Sequence, residues 1–342
     1  MKKLYSTSEY KKRNAKRAKD RLKQQLLSKE KSKVKRRATN GVPIVEQRER
    51  RVISQFDSLH APVNFSFIEN TVEVLSYLER IQDKINHRKP ILINLKNITN
   101  LTNDAIVLLL AVVKNPAITK GVLIKGNYPK DEVLRKIFRE SGVFGANGND
   151  SEHKNYIFTR QNKKAEGGIA NEIIKRATKI VFGKEARCPG VYRALMESMA
   201  NTCYHAKPAQ IGHETWWLTV YHDQALNKVS FAFIDMGVGI FKSSKMSSFR
   251  DNLKSFFGIT DNRDVLKEII SGRKMSSTKI PYRGKGLPNI YKGIERNYYS
   301  NLKIISNDVK ADFSADKYEK LSKEFRGTFL YWELNNTNRW IC

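Results

Sequence analysis

The sequence predicts an α/β protein built as two blocks behind a basic arm. Three observations carry this. Short β-type runs alternate with amphipathic helical spacings from about residue 61 to 145. A glycine-bearing stretch (Gly145, Gly148, Gly167, Gly168) then breaks the pattern. Beyond it two helical patterns precede paired aromatic and β-branched runs. The expected organisation is a basic arm and connector over 1–60, a first α/β block over 61–145 and a linker over 146–166. A second block follows over 167–336, with a tail over 337–342. The chain has 342 residues and is 40% hydrophobic, enough for two cores, which excludes global disorder.

In the first block Val63 to Ile68 reads as a strand. Asn70 and Glu73 have capping-box spacing ahead of Val74, Leu75, Leu78, Ile81 and Ile85 at helical intervals. Pro90 precedes a buried strand, Ile91 to Leu95. A polar turn (Asn97 to Asn103) leads to an apolar helix from Asp104, then a strand over Gly121 to Gly126. A helix over Lys130 to Ser141 is closed by Gly142. Such alternation predicts parallel or mixed pairing.

Charge is uneven. The net is +29, and residues 1–40 hold 16 Lys and Arg against Glu9, Asp20 and Glu30, a balance of +13. The arm is expected to be solvated and disordered, or a transient basic helix, ordering on a polyanion such as DNA or RNA through counterion release. A solubilising tail, or an arm for an acidic protein, is the alternative. No apolar run reaches the roughly 18 to 20 residues that span a bilayer, no secretory leader is expected, and Leu22, Leu26 and Leu27 make only a small apolar face, so no membrane partner is expected. Three cysteines (Cys188, Cys203, Cys342) make neither a disulfide framework nor a zinc site. The expectation is a reduced, cytoplasmic protein.

The second block carries the chemistry. Ile169, Ile173, Ile174, Ala177, Ile180 and Val181 mark a helix ended by Gly183. A second helix starts near Pro189 and places Glu197, Asn201 and His205 at i, i+4 and i+8 on one face. Thr215 to Tyr221 and Val229 to Ile234 read as strands, the latter running into Asp235-Met-Gly237-Val-Gly239. Arg283-Gly284-Lys285-Gly286-Leu287 precedes a helix over Pro288 to Glu295, where glycines let backbone N–H groups approach a phosphate. Gly327-Thr328 opens a final strand, Phe329 to Leu334. Each motif alone is a common stripe or turn; their order is informative. Other candidates fail. His213-Glu214 lacks the second histidine of H-E-x-x-H, His60-Ala-Pro is no phosphoacceptor helix, and Cys342 is no prenylation site. Trp216 and Trp217 read as packing residues.

Those four motifs resemble the N, G1 and G2 boxes and last strand of the GHKL ATPases, the fold of gyrase and the histidine kinases. The box Glu197-Ser-Met-Ala-Asn-Thr-Cys-Tyr-His205 is most similar to that of the anti-sigma-factor serine kinases. The resemblance implies a two-layer α/β sandwich of the Bergerat type that binds ATP and Mg²⁺. In it Asn201 ligates the metal and Glu197 is the general base. Asp235 accepts from the adenine amino group, and Gly237 and Gly239 bend beneath the base. Gly284, Gly286 and Leu287 open the phosphate-facing helix, with Lys285 adding charge. Thr328 lies beside adenine, and His205 is either a nucleotide contact or a helix-end histidine. Ile240 to Tyr282 becomes a lid, with Arg273, Lys274 and Lys279 reaching phosphates. Its closure implies switching of contacts with a protein partner or a second copy. A protein serine/threonine kinase and an ATP-gated module without turnover are the alternatives.

The first block, through Ile91-Leu-Ile-Asn-Leu-Lys-Asn-Ile-Thr-Asn-Leu-Thr-Asn-Asp-Ala105 and its order of elements, resembles a STAS domain. That family's phosphoacceptor serine falls near Asn103, between Thr102 and Asp104, so the usual acceptor is missing. Asn103 or Thr102 is expected to act as an ordinary helix cap.

Overall fold

The computed structural model describes residues 8–38, 56–144, 156–205, 215–242, 253, 255, 258–271 and 286–340. They fall into two units, Met1–Phe56 and Asp57–Cys342. In the first, Ser8–Ala38 forms one helix, α1, which is the helical form of the arm that the sequence left open beside a disordered one. The physical reason is composition: Lys, Arg, Gln, Leu and Ala favour helix, and no Gly or Pro interrupts the 31 residues. Side chains from Lys12 to Gln25 are exposed.

The second unit is mixed α/β. Its elements begin with β1 (Asp57–His60), β2 (Asn64–Phe65), α2 (Thr71–Asn86), β3 (Ile91–Asn94), β4 (Asn100–Leu101) and α3 (Asn103–Val113). Next come α4 (Pro116–Thr119), β5 (Ile124–Gly126), α5 (Glu132–Glu140) and β6 (Tyr156–Asn162). The chain continues through α6 (Gly167–Phe182), α7 (Pro189–His205), β7 (Trp216–Asp223) and β8 (Lys228–Asp235). It ends with α8 (Asn262–Ser271), α9 (Gly286–Glu295), β9 (Ser300–Asp312) and β10 (Lys317–Leu334). Strands β1, β3 and β5 make a parallel sheet in the order β1-β3-β5, and β2 and β4 form a small parallel pair. The remaining five strands form an antiparallel sheet in the order β6-β7-β8-β10-β9.

Several boundaries differ from the sequence reading. Asp57–His60, read as connector, is an edge strand on β3; only Leu59 points inward, too little apolar signal to announce it. The stretch 146–166, read as a linker, contributes β6, which pairs with β7. The expected strand Val63 to Ile68 shrinks to two residues because Asp104 turns the chain: its Oδ2 accepts from Ile68 N (2.8 Å) and Ser66 Oγ (3.2 Å). Asn70 is the N-cap of α2, but its side-chain amide goes to Glu73 and Asn64 O rather than serving the helix backbone. Within the tail 337–342, Trp340 stacks on Phe182 at 5.2 Å and carries Lys184 over its ring.

Strand parity decides what lies on each side of the large sheet. Trp216, Leu218 and Val220, then Val229, Phe231 and Phe233, then Leu330, Trp332 and Leu334, pack with α6, α7, α8 and α9. The intervening residues Trp217, Ala232, Ile234 and Phe329 join a second core with Phe65, Phe67, Tyr77 and the apolar length of α3. Phe67 meets both Phe325 and Phe329 edge-on, at centroid distances of 5.2 Å. The first block therefore covers the rear of the second block's sheet, and the sheet is buried on both faces. No helix among the described residues is long and apolar enough to cross a membrane.

A shared core predicts shared unfolding. Phe67→Ala should cost about 3 to 5 kcal/mol and shift one cooperative transition followed by both tryptophan fluorescence and far-UV dichroism. Two separated transitions would contradict the common core. A fragment of residues 150–342 should expose Trp217, Ile234 and Phe329 and bind a hydrophobic dye strongly, whereas the whole chain should not.

Candidate functional site

Helix α7 seats Val191, Ala194, Leu195 and Met199 on the sheet and continues that stripe with buried Thr202. Glu197 and Asn201 are half-buried on the side turned to α9. Glu197 Oε1 accepts from Asn289 Nδ2 at 2.8 Å, which leaves its second oxygen for other work. Gly286, at the start of α9, lies against the Asn201 amide: a Cβ added there would stand 2.8 Å from Nδ2 and 3.0 Å from Oδ1. Helix α7 thus touches the opening turn of α9 through two side chains.

The sheet presents its own polar row beneath this helix. Trp216, Asp235, Thr328 and Ser306 are cross-strand partners on β7, β8, β10 and β9. By parity the row faces the helical layer. Asp235 is 7% exposed, and every partner it has is a donor: Gly237 N at 2.9 Å, Thr202 Oγ1 at 3.4 Å, and both the N–H and the hydroxyl of Thr328. Burial pushes its carboxyl up to about 6, against the pull of those donors. Gly327 (φ +141°) precedes Thr328 where a Cβ would strike the Asp235 carbonyl, so only glycine permits this approach.

Of the residues singled out from sequence, Glu197, Asn201, Asp235, Gly237, Gly286 and Thr328 come together on one side of the sheet. Thr202 links α7 to Asp235, and Gly286 links α7 to α9. Leu287 packs at the margin of the helical core. Gly239 has a left-handed backbone (φ +81°) just beyond the turn. Gly284 and Lys285 lie outside the described residues, as do Arg273, Lys274, Lys279 and the side chain of His205. Within the segment expected to be a lid, 240–282, the described residues include a packed helix: α8 buries Val265, Leu266, Ile269 and Ile270.

Sequence reasoning missed Asn289, Ser306 and the role of Thr202. The first is a common polar residue within a helix, and Ser306 becomes visible only once the β10–β9 register is known. Thr202 follows Asn201 directly, and its position on the sheet-facing stripe was the available signal.

Among the described residues no group of three or more His, Cys, Asp and Glu is placed to hold a metal ion. A cation here would depend on ligand oxygens as well as on Asn201. Two clefts, of about 770 Å³ beside β1 and α2 and about 380 Å³ at the seam between the blocks, lie away from the Asp235 row. Asn103, which the STAS resemblance would set at a phosphoacceptor position, is buried in that seam and gives its amide to Ser230 Oγ (3.3 Å). It opens α3, but Thr102 is the N-cap and makes no side-chain cap bond. Comparison of the chain with family models, curated proteins and solved structures gave no match.

The raised Asp235 carboxyl predicts a stability signature independent of any ligand. A carboxyl that holds its proton more tightly when folded contributes stability at low pH that is lost as pH climbs toward about 6. The stability difference between Asp235→Asn and the unaltered protein, measured by urea unfolding, should grow in favour of the variant between about pH 4 and 6 and stay level above.

Proposed function

We propose that the protein is a Mg·ATP-binding ATPase of the GHKL type, whose nucleotide state switches contacts with a protein partner or a second copy. One observation carries the reading: a buried carboxylate surrounded by donors shares one side of a sheet with the Glu197–Asn201 helix face and a glycine-opened helix. The donor set fits the group. Asp235, buried and oriented by Gly237, Thr202 and Thr328, suits the exocyclic amine of a purine. The tight Gly286–Asn201 approach leaves an amide oxygen and a helix N-terminus together, which suits phosphates and a hard cation.

Each residue then has a task. Asn201 offers its amide oxygen to Mg²⁺. Glu197, steadied by Asn289 on one oxygen, takes a proton from the attacking water with the other. Thr328 and Thr202 hold the Asp235 carboxylate in register. Mg·ATP supplies the phosphoanhydride that is cleaved. A serine/threonine kinase acting on its own first block is disfavoured, because Asn103 lacks a hydroxyl and is buried against the sheet. Helix α1, with 14 Lys and Arg against three acidic residues over about 46 Å, is read as the contact for DNA or RNA.

Calorimetry with Mg·ATP should give saturable binding that Asp235→Asn weakens at least about tenfold. Asn201→Ala should remove the magnesium dependence, and Gly286→Ala should reproduce that in part by displacing the Asn201 amide. Glu197→Ala should bind normally yet lose about 10² to 10⁴ in turnover. With γ-labelled ATP the label should appear as free phosphate. Label on protein would favour the kinase, and binding without release would favour a gated module.

A further inference from the structure

Three consecutive residues of β9, Ser306-Asn307-Asp308, hold the chain where it leaves the Asp235 turn and where it returns. Ser306 Oγ accepts from Ile240 N at 2.9 Å and donates to Gly327 O at 2.8 Å. Asn307 Oδ1 accepts from Phe241 N at 3.1 Å, while its Nδ2 donates to Val238 O at 2.9 Å and Glu324 Oε1 at 3.1 Å. Asp308 receives the side-chain amide of Asn262, the first residue of α8. Ser306 and Asn307 are both buried, at 0% and 1% exposure. Asn307 has a left-handed backbone (φ +51°) at an irregularity in the β9–β10 ladder, a conformation that asparagine tolerates better than most residues. Gly239 fits only because it has no side chain: a Cβ would run into the Asn307 amide.

We infer that Ser306 and Asn307 are positioning residues for the base-binding turn, Asp235 to Phe241. The inference rests on the nucleotide reading above. Every polar atom of the two side chains is spent on backbone 238–241, on Gly327 beside Thr328, or on Glu324. They touch no group assigned to phosphate or metal. Glu324, exposed at the surface, anchors the far side: partial desolvation raises its carboxyl, but Lys242 and Asn307 outweigh that and hold it below the ordinary range. The clamp therefore sets where the turn lies relative to Asp235, and its loss should be felt by the base and not by the phosphates.

The test uses the whole chain and two probes, Mg·ATP and inorganic tripolyphosphate with Mg²⁺. Asn307→Ala removes two backbone anchors and should weaken ATP about ten- to thirtyfold, with tripolyphosphate changed less than about twofold. Ser306→Ala, a milder change, should move ATP in the same direction. Asn307→Asp should be as damaging, because it loses the donor to Val238 and sets a carboxylate beside Glu324. Adding Glu324→Gln should recover part of the ATP affinity by double-mutant coupling. Hydrogen exchange at the Phe241 amide should accelerate in the Asn307 variants without ligand. Equal losses for both probes, or unchanged ATP binding by Asn307→Ala and Ser306→Ala, would overturn the clamp while leaving the nucleotide site standing. An unaltered protein that binds no ATP would remove the site reading and this inference with it.

Discussion

The constraint on which the rest depends is the double burial of strands β7, β8 and β10. An antiparallel strand sends alternate side chains to opposite sides, and here both sides are apolar. On β8, Val229, Phe231 and Phe233 serve the helical layer while Ala232 and Ile234 serve the first block. Asp235 ends the first series. Its carboxylate lies beneath α7 because of that parity, and a one-residue slip would turn it toward α3.

The same parity separates chemistry from docking. The row Trp216, Asp235, Thr328 and Ser306 faces the helices, so the groups proposed to grip a purine nucleotide occupy one side. The seam on the other side holds Asn103, Asp104, Tyr331 and Glu333, with the Lys228–Glu333 pair at 2.8 Å. Burial raises the Asp104 carboxyl, but four donors, from Thr102, Ile68, Ser66 and its own backbone, oppose that rise. Asp104 therefore serves as a post around which the 66–68 turn is wrapped, and Asn103 beside it fastens the first block to β8.

Much of this was legible from residues alone. Helix α6 with its Gly183 end, α7 from Pro189, and strands β3, β7 and β8 appear where periodicity and turn residues put them. The motifs around Glu197, Asp235 and Gly286 were visible by spacing. What was not legible depends on pairing. The first half of β10 is dominated by Lys, Glu and Ser, and the alternation in β9 (Leu302-Lys303-Ile304, Val309-Lys310-Ala311) is split by the polar Ser306-Asn307-Asp308, so the two arms of the edge strand do not read as one element. Strand β6 hides for a related reason, since Tyr156–Asn162 becomes strand only by lying along β7. One signal was readable and passed over: Trp216-Trp217-Leu218 and Phe231-Ala232-Phe233-Ile234 are continuous apolar runs. Such runs in antiparallel strands mean that neither side is wet.

Because a single polypeptide carries both blocks, neither dilution nor a competing chain can change their one-to-one ratio, and the interlock of Phe67 with Phe325 and Phe329 turns that permanent proximity into a closed seam.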